Sequence, residues 1–263
     1  MAAIARFGTR VVPELPQIIK ECREKKQLVQ GPYVEQFEQE FGRFLGSGHV
    51  RTCSTEYGRM ALYFILKSLD LPPGSEIIVP ALTFWVVPEI TRVAGLTPVF
   101  ADIDPTTFTL LPEAVERAIT SKTRAVLPTH LYGLSCDMDP ILDIARRHKL
   151  VVIEDAAQAI GSEYKGRRAG SMGDYGCFSF FPSKNLGCYA DGGALCTNDD
   201  QLAEKIKMIA NHGQSKRYYH DVVGCNSRLD TIQAAVLDIK LKRLDAYNEA
   251  RQKAAAFYSN AFD

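Results

Sequence analysis

The stretch Asp174-Tyr-Gly-Cys-Phe-Ser-Phe-Phe-Pro-Ser-Lys184-Asn-Leu-Gly187, followed closely by Asp191-Gly-Gly-Ala194, decides the reading of this chain. Its apolar run, Gly176 to Phe181, has the composition of a strand. The run gives way to a polar loop that presents one lysine, and the flanking glycines let backbone approach a ligand. An average loop lysine is a solvated surface charge. Lys184 differs in lying at a strand end among apolar neighbours, where its ammonium form is disfavoured and its amine becomes available as a nucleophile.

Outward from this stretch, short apolar β-branched runs alternate with helix-period stretches from about Val50 to Thr197. The strand candidates are Ile77 to Pro80, Pro98 to Asp102, Ala125 to His130, Val151 to Asp155, Gly176 to Phe181 and Gly193 to Thr197. Several are apolar throughout, as strands covered on both faces should be. Helical patterns lie between and after them, over Pro112 to Thr120, Asp139 to His148 and Asp199 to His212, with proline well placed near the start of the first. This alternation predicts an α/β fold with a largely parallel central sheet, helices on both faces and right-handed crossovers. Beyond it, Leu229, Ile232, Val236, Ile239, Leu244 and Tyr247 recur near the helical period. Ser227 to Phe262 therefore reads as one long amphipathic helix or two, with Asn226 and Ser227 as N-cap types.

The chain has 263 residues, enough for one large domain or for one domain and the start of another. With 46% apolar and 24% charged residues it has the composition of an ordinary soluble globular protein. The 31 basic and 31 acidic side chains cancel, so the basic excess of a nucleic-acid binder is absent and no nucleic-acid partner is expected. No apolar run approaches about 18 residues and the N-terminus lacks the layout of a secretory signal, so no membrane association is expected. The seven cysteines are scattered and form no metal-ligand spacing, so no metal site is expected. They fit a reducing compartment, and a cytoplasmic protein is the expectation.

Two further segments carry chemistry. In Val151-Val-Ile-Glu-Asp155-Ala-Ala-Gln158, an acid ends an apolar strand, and the carboxyl edge of a parallel sheet is where α/β proteins place ligands. Asp155 can serve there as the partner of a cationic ring nitrogen, or it can cap a following helix. At about 4 Å and an effective dielectric of about 20, such an ion pair is worth on the order of 4 kcal/mol before desolvation, enough to raise a ring pKa by more than a unit. In Ser54-Thr-Glu-Tyr-Gly58-Arg59-Met60, a polar turn leads into an apolar helix whose first amides can hold a phosphate. Glu56 weighs mildly against an anion there unless it points away. His212 and His220 lie in polar loop sequence and are assigned no catalytic role.

Taken together, these segments resemble the DegT/DnrJ/EryC1/StrS family of sugar aminotransferases, fold type I pyridoxal-phosphate enzymes. The resemblance runs from about Gly31 to Tyr258. It includes Gly31-Pro-Tyr-Val-Glu-Gln-Phe-Glu38, Pro80-Ala-Leu-Thr-Phe-Trp85, Asp102-Ile-Asp104, Glu154-Asp-Ala-Ala-Gln-Ala159, Phe178 to Gly187, Asn211-His-Gly213 and Gly224-Cys-Asn-Ser-Arg-Leu-Asp230.

The resemblance implies a large domain that binds pyridoxal 5'-phosphate. It implies that Lys184 forms the Schiff base and shuttles the proton, and that Asp155 pairs with the ring nitrogen. Gln158 lies near the ring oxygen. Phe84 stacks on the ring, with Trp85 as its rival. Gly58, Arg59 and Ser179 hold the phosphate, and Asn226 reaches the phosphate of a neighbouring subunit, so a homodimer with shared active sites is expected. Outside the resemblance, Phe84 can be core, Ser179 can satisfy strand ends and Gln158 can cap a helix.

Two features depart from the family pattern. Arg59 stands where a small residue or threonine is usual, and can bind phosphate through its guanidinium or point away while its backbone amide binds. The helical pattern also runs to Asp263 without a stop signal, where family members continue into a small C-terminal domain. The expected division is an N-terminal arm and first helix over 1–30, a cofactor-binding large domain over 31–240, and the start of a largely missing small domain over 241–263.

The implied reaction moves an amino group from an amino acid, glutamate being the expected donor, to a keto group of a nucleotide-linked sugar. The alternatives are a sugar dehydratase on the same fold, against which the retained lysine argues, and a regulatory or scaffold homologue that has lost catalysis.

Overall fold

The apolar runs form strands, although the one expected over Ala125 to His130 spans Thr123–Val126 instead, and a polar segment adds one more. A computed structural model of the protein describes residues 12–46 and 51–262. The first part of the expected arm, Val50 and Asp263 lie outside the described residues.

In chain order, α1 (Leu15–Lys25) and α2 (Pro32–Leu45) precede β1 (Arg51–Thr55) and α3 (Gly58–Ser68). Then come β2 (Glu76–Pro80), α4 (Val86–Val93), β3 (Thr97–Ala101), α5 (Pro112–Ala118), β4 (Thr123–Val126), α6 (Met138–His148) and β5 (Val151–Asp155). Last are β6 (Tyr175–Ser179), β7 (Gly193–Thr197), α7 (Asp200–Ala210), α8 (Thr231–Leu241) and α9 (Leu244–Phe262). Two short ribbons, over 163–168 and 214–220, stand outside the main sheet.

The seven strands form one sheet in the order β1-β7-β6-β5-β4-β2-β3. Every neighbouring pair is parallel except those made by β7, which runs against both β1 and β6. Helices lie between β1 and β2, β2 and β3, β3 and β4, and β4 and β5; β5 reaches β6 through turns and a short ribbon, and β6 doubles back into β7 through a loop, the geometry that an antiparallel pair allows. That loop carries Lys184. The reversal therefore places the lysine at the carboxyl edge of the sheet, beside the end of β5.

Side-chain alternation sorts the core into layers. Ile77, Val79, Ile153, Cys177 and Leu195 face α3, α4 and α7, packing with Phe64 and Ile65. On the opposite face, Ile78, Val126 and Val152 meet α5 and α6, while Phe178, Phe180 and Ala194 meet α2 and α8. Phe41 stands edge-on to Phe178 and Phe180 with ring centroids 5.0 and 5.4 Å apart, a geometry that adds to area burial. By the same alternation Asp155 and Glu154 point to opposite faces.

The C-terminal pattern corrects two expectations. It resolves into two helices. Asp230, not Asn226 or Ser227, occupies the N-cap of α8, and its side chain makes no capping hydrogen bond. Nor is the stripe amphipathic throughout: α8 buries most of its residues, while the side chains of α9 are exposed over most of its length, with Leu244 buried. Among the described residues no helix is long and apolar enough to cross a membrane.

Candidate active site

The site residues converge because they sit at the carboxyl ends of parallel strands or just beyond them. Gly58 follows β1, Phe84 follows β2, Asp155 ends β5, Ser179 ends β6 and Lys184 lies in the loop after it. In register, Asp155 pairs with Cys177, and Ser179 with Gly193, which in turn faces Thr55.

Lys184 sits on a tight turn in which its backbone N–H donates to the Phe181 carbonyl at 2.9 Å. Gly187 closes against the Pro182 carbonyl, where a Cβ would lie 2.6 Å from the oxygen. The side chain is half-buried, and that burial pushes its ammonium below the ordinary lysine range, although Asp155 and Cys177 oppose the shift. Asp155 is buried at 8% exposure. Burial raises its carboxyl above the usual range, against the Ala157 amide and the charge of Lys184. The pair is thus electrostatically coupled, and each group stands displaced toward its neutral form. No helix follows Asp155, so it caps none; its Oδ1 accepts the Ala157 N–H at 3.1 Å in a turn.

The turn before α3 is packed as a phosphate cradle would be. A Cβ on Gly58 would lie 2.7 Å from Ser179 Cβ, and one on Gly193 would lie 2.3 Å from Gly58 N. The first-turn amides of Gly58 and Arg59 have no acceptor within the helix. Glu56 turns aside and accepts the Tyr57 hydroxyl at 2.8 Å. The Arg59 guanidinium is directed at Glu89 on α4, with Nη2 3.6 Å from Oε2, which leaves its backbone amide as the group on the turn. Ser179 Oγ accepts the Phe181 N–H at 3.4 Å. Gly58→Ala should push β6 away from α3 and lose about 1–3 kcal/mol of stability in denaturant unfolding.

Phe84 is 63% exposed and Trp85 71% exposed, so neither is core. Trp85 occupies the N-cap of α4, whereas Phe84 follows Thr83, whose hydroxyl lies 3.0 Å from that of Thr129. Thr129 in turn bridges Asp155, which brings Phe84 to the Asp155 edge. Gln158 Oε1 accepts the Tyr132 N–H at 2.9 Å, tying the turn after β5 to the one after β4. Asn226 is exposed and bridges Asn211 through backbone; its neighbour Ser227 accepts the Glu56 N–H at 3.4 Å. Of the two loop histidines, His220 lies 2.8 Å through Nδ1 from the His212 carbonyl.

A supporting pair escaped the sequence reading. Glu154, fully buried, accepts N–H groups from Gly170, Met172 and Gly173 and lies 2.8 Å from His130 Nε2. His130 Nδ1 accepts the Cys136 N–H at 3.1 Å, so the ring proton is on Nε2 and is donated to Glu154. The His130 N–H also donates to the Asp155 carbonyl at 3.0 Å. The only sequence signal was a histidine ending one apolar strand and an acid near the end of another. Glu154→Gln turns an amide group toward donors and should cost about 3 kcal/mol in denaturant unfolding.

Comparison with known proteins agrees with this geometry. The sequence profile of the DegT/DnrJ/EryC1/StrS aminotransferase family matches residues 11–263. Over 251 residues the chain is 45% identical to the pleiotropic regulatory protein of Geobacillus stearothermophilus, covering 95% of this chain and 67% of that one. It is 43% identical over 249 residues to the UDP-2-acetamido-2-deoxy-3-oxo-D-glucuronate aminotransferase of Pseudomonas aeruginosa, covering 95% and 69%. The fold matches the crystal structure of S. venezuelae DesV in complex with a ketimine intermediate at a TM-score of 0.90 and 42% identity, covering 94% and 66%. The chain therefore spans about two thirds of the length of these relatives.

Proposed function

This chain belongs to the DegT/DnrJ/EryC1/StrS aminotransferase family, and from that premise we propose that it transfers an amino group from an amino acid, glutamate first among donors, to the keto group of a nucleotide-linked sugar. One observation carries the reading: at one edge of the sheet, the loop after β6 holds the half-buried Lys184 beside the end of β5, where the carboxylate of Asp155 is buried.

The residues fit pyridoxal 5'-phosphate. A buried carboxylate suits a cationic ring nitrogen, and a glycine turn beside a hydroxyl suits a phosphate. When bound, the cofactor supplies an aldehyde for amine exchange and a ring that withdraws electrons. Asp155 would keep a proton on the ring nitrogen. Lys184 Nζ would take the proton from the α-carbon of the donor and give it back as an acid, serving as base and acid in both half-reactions. Gly58, the Arg59 amide and Ser179 would hold the phosphate, Phe84 would stack on the ring, and Gln158 would serve its oxygen. Asn226, exposed at the edge of the fold, reaches the phosphate held by a partner subunit in a homodimer with shared sites. All seven cysteines are unpaired, which suits the cytoplasm.

The test is glutamate-dependent release of 2-oxoglutarate, followed by amination of UDP-, dTDP- and GDP-linked keto sugars. The UDP-linked 3-oxo sugar named for the Pseudomonas relative comes first. Turnover of any of these sustains the proposal. Failure of both half-reactions across a panel of donors and sugars contradicts it.

A further inference from the structure

We propose that Asn248, on α9, is a positioning residue for Lys184, clamping the loop that carries the lysine to the segment that follows Asp155. The inference rests on the reading of Lys184 as the reacting amine. Asn248 uses both ends of its amide. Its Oδ1 accepts from Asn185 Nδ2 at 2.8 Å, on the residue next to Lys184. Its Nδ2 donates to the Ile160 carbonyl at 3.1 Å, in the turns that lead out of β5 beyond Asp155 and Gln158. One side chain therefore spans the two segments whose relative placement sets the distance between amine and carboxylate.

The approach is permitted by Gly161, whose φ is +91° and where a Cβ would lie 2.4 Å from Asn248 Nδ2. Any side chain there would displace the amide, and the left-handed φ itself favours glycine.

Two contacts from α8 fasten the rest of the same loop. Lys240, buried at 4% exposure, donates from Nζ to the Gly187 carbonyl at 2.7 Å, and its ammonium lies 4.6 Å from the centre of the Tyr189 ring. Gln233 Oε1 accepts the Tyr189 N–H at 2.8 Å. The lysine loop is thus tied at 185, 187 and 189 by side chains of the two C-terminal helices. A buried ammonium is costly unless it is satisfied, so Lys240 locks Gly187 firmly. Asn248 is the contact nearest Lys184, and it also grips the β5 side. Groups that act through a reacting residue in this way set its orientation and its solvent exposure.

The experiment compares wild type with Asn248→Ala, Asn185→Ala and the double variant. Asn185→Ala removes the same contact from the loop side, so the test survives if Asn248→Ala folds poorly. Lys253→Ala, which removes an exposed ion pair with Glu249 on the same helix, is the control. The readout is the pH at which Lys184 becomes half-reactive toward trinitrobenzenesulfonate, followed by peptide mass spectrometry, together with hydrogen exchange of the 185–189 amides.

Releasing the clamp hydrates the amine. Both single variants should therefore raise the half-reactive pH toward that of a free lysine and speed exchange about tenfold. The double variant should do no more than Asn248→Ala, because the contact that Asn185→Ala deletes is already gone there. A half-reactive pH equal to wild type in both single variants, whatever happens to Tm, overturns the proposal. The labelling needs no cofactor, so its outcome is read separately from the turnover assay that tests the aminotransferase reading.

Discussion

Lys184→Asn-type replacements would leave a polar group behind, so the informative variant is Lys184→Ala, which is expected to lower glutamate-dependent amino transfer by about 10⁴-fold while the chain stays folded. Removing a group proposed as nucleophile and proton carrier in both half-reactions should have an effect of that order. Stability should hold or rise. Burial lowers the Lys184 ammonium pKa in the fold, so at pH values below that of a free lysine the folded state carries a penalty that alanine removes. Methylamine added to the variant should restore part of the rate, because a small amine can enter and carry the proton. Stopped-flow turnover with and without methylamine, beside thermal melts, checks this. Turnover near wild type would remove Lys184 from the chemistry.

Asp155→Asn should have the next largest effect, and with opposite signs for function and stability. The amide cannot hold a proton on the ring nitrogen, and turnover should fall on the order of 10³-fold. The isolated fold should gain. Asp155 has a raised pKa in the fold, so its charged form costs stability above the folded value, and that cost disappears below the unfolded value of about 4. Asparagine keeps an acceptor for the Ala157 N–H and carries no charge. At pH 8 the variant should melt about 2–4 °C higher than wild type, a difference that closes as the pH falls toward 4. The half-reactive pH of Lys184 should also drop further, since Asp155 is the main group holding it up. A variant that melts lower at pH 8 would contradict the assignment of Asp155 as a charge buried for function.

Local sequence carried the chemistry further than it carried the architecture. The stretch around Lys184 and the strand ending in Asp155 were legible because apolar runs that stop abruptly at a polar residue mark the edge of a covered sheet. β1 was not legible. Arg51-Thr-Cys-Ser-Thr55 has no apolar run, and it becomes a strand by pairing with β7 at the margin of the sheet. The reversed direction of β7 was likewise hidden, since a five-residue pattern says nothing about which way its strand runs. At the C-terminus, the periodicity from Leu229 onward mixed a loop residue with two helices, and α8 is too buried for its pattern to show an edge. The His130–Glu154 contact and the Asn248 clamp join groups far apart in sequence; they follow from strand order and helix docking, which no local pattern encodes.

The most direct measurement of the central claim is covalent trapping. The purified chain is mixed with pyridoxal phosphate, its visible spectrum is recorded, and borohydride is added before peptide mass spectrometry. The account predicts a visible band that borohydride bleaches, leaving the reduced cofactor mass on the peptide carrying Lys184 and nowhere else. Absence of the band, or a label placed on another lysine, would contradict it.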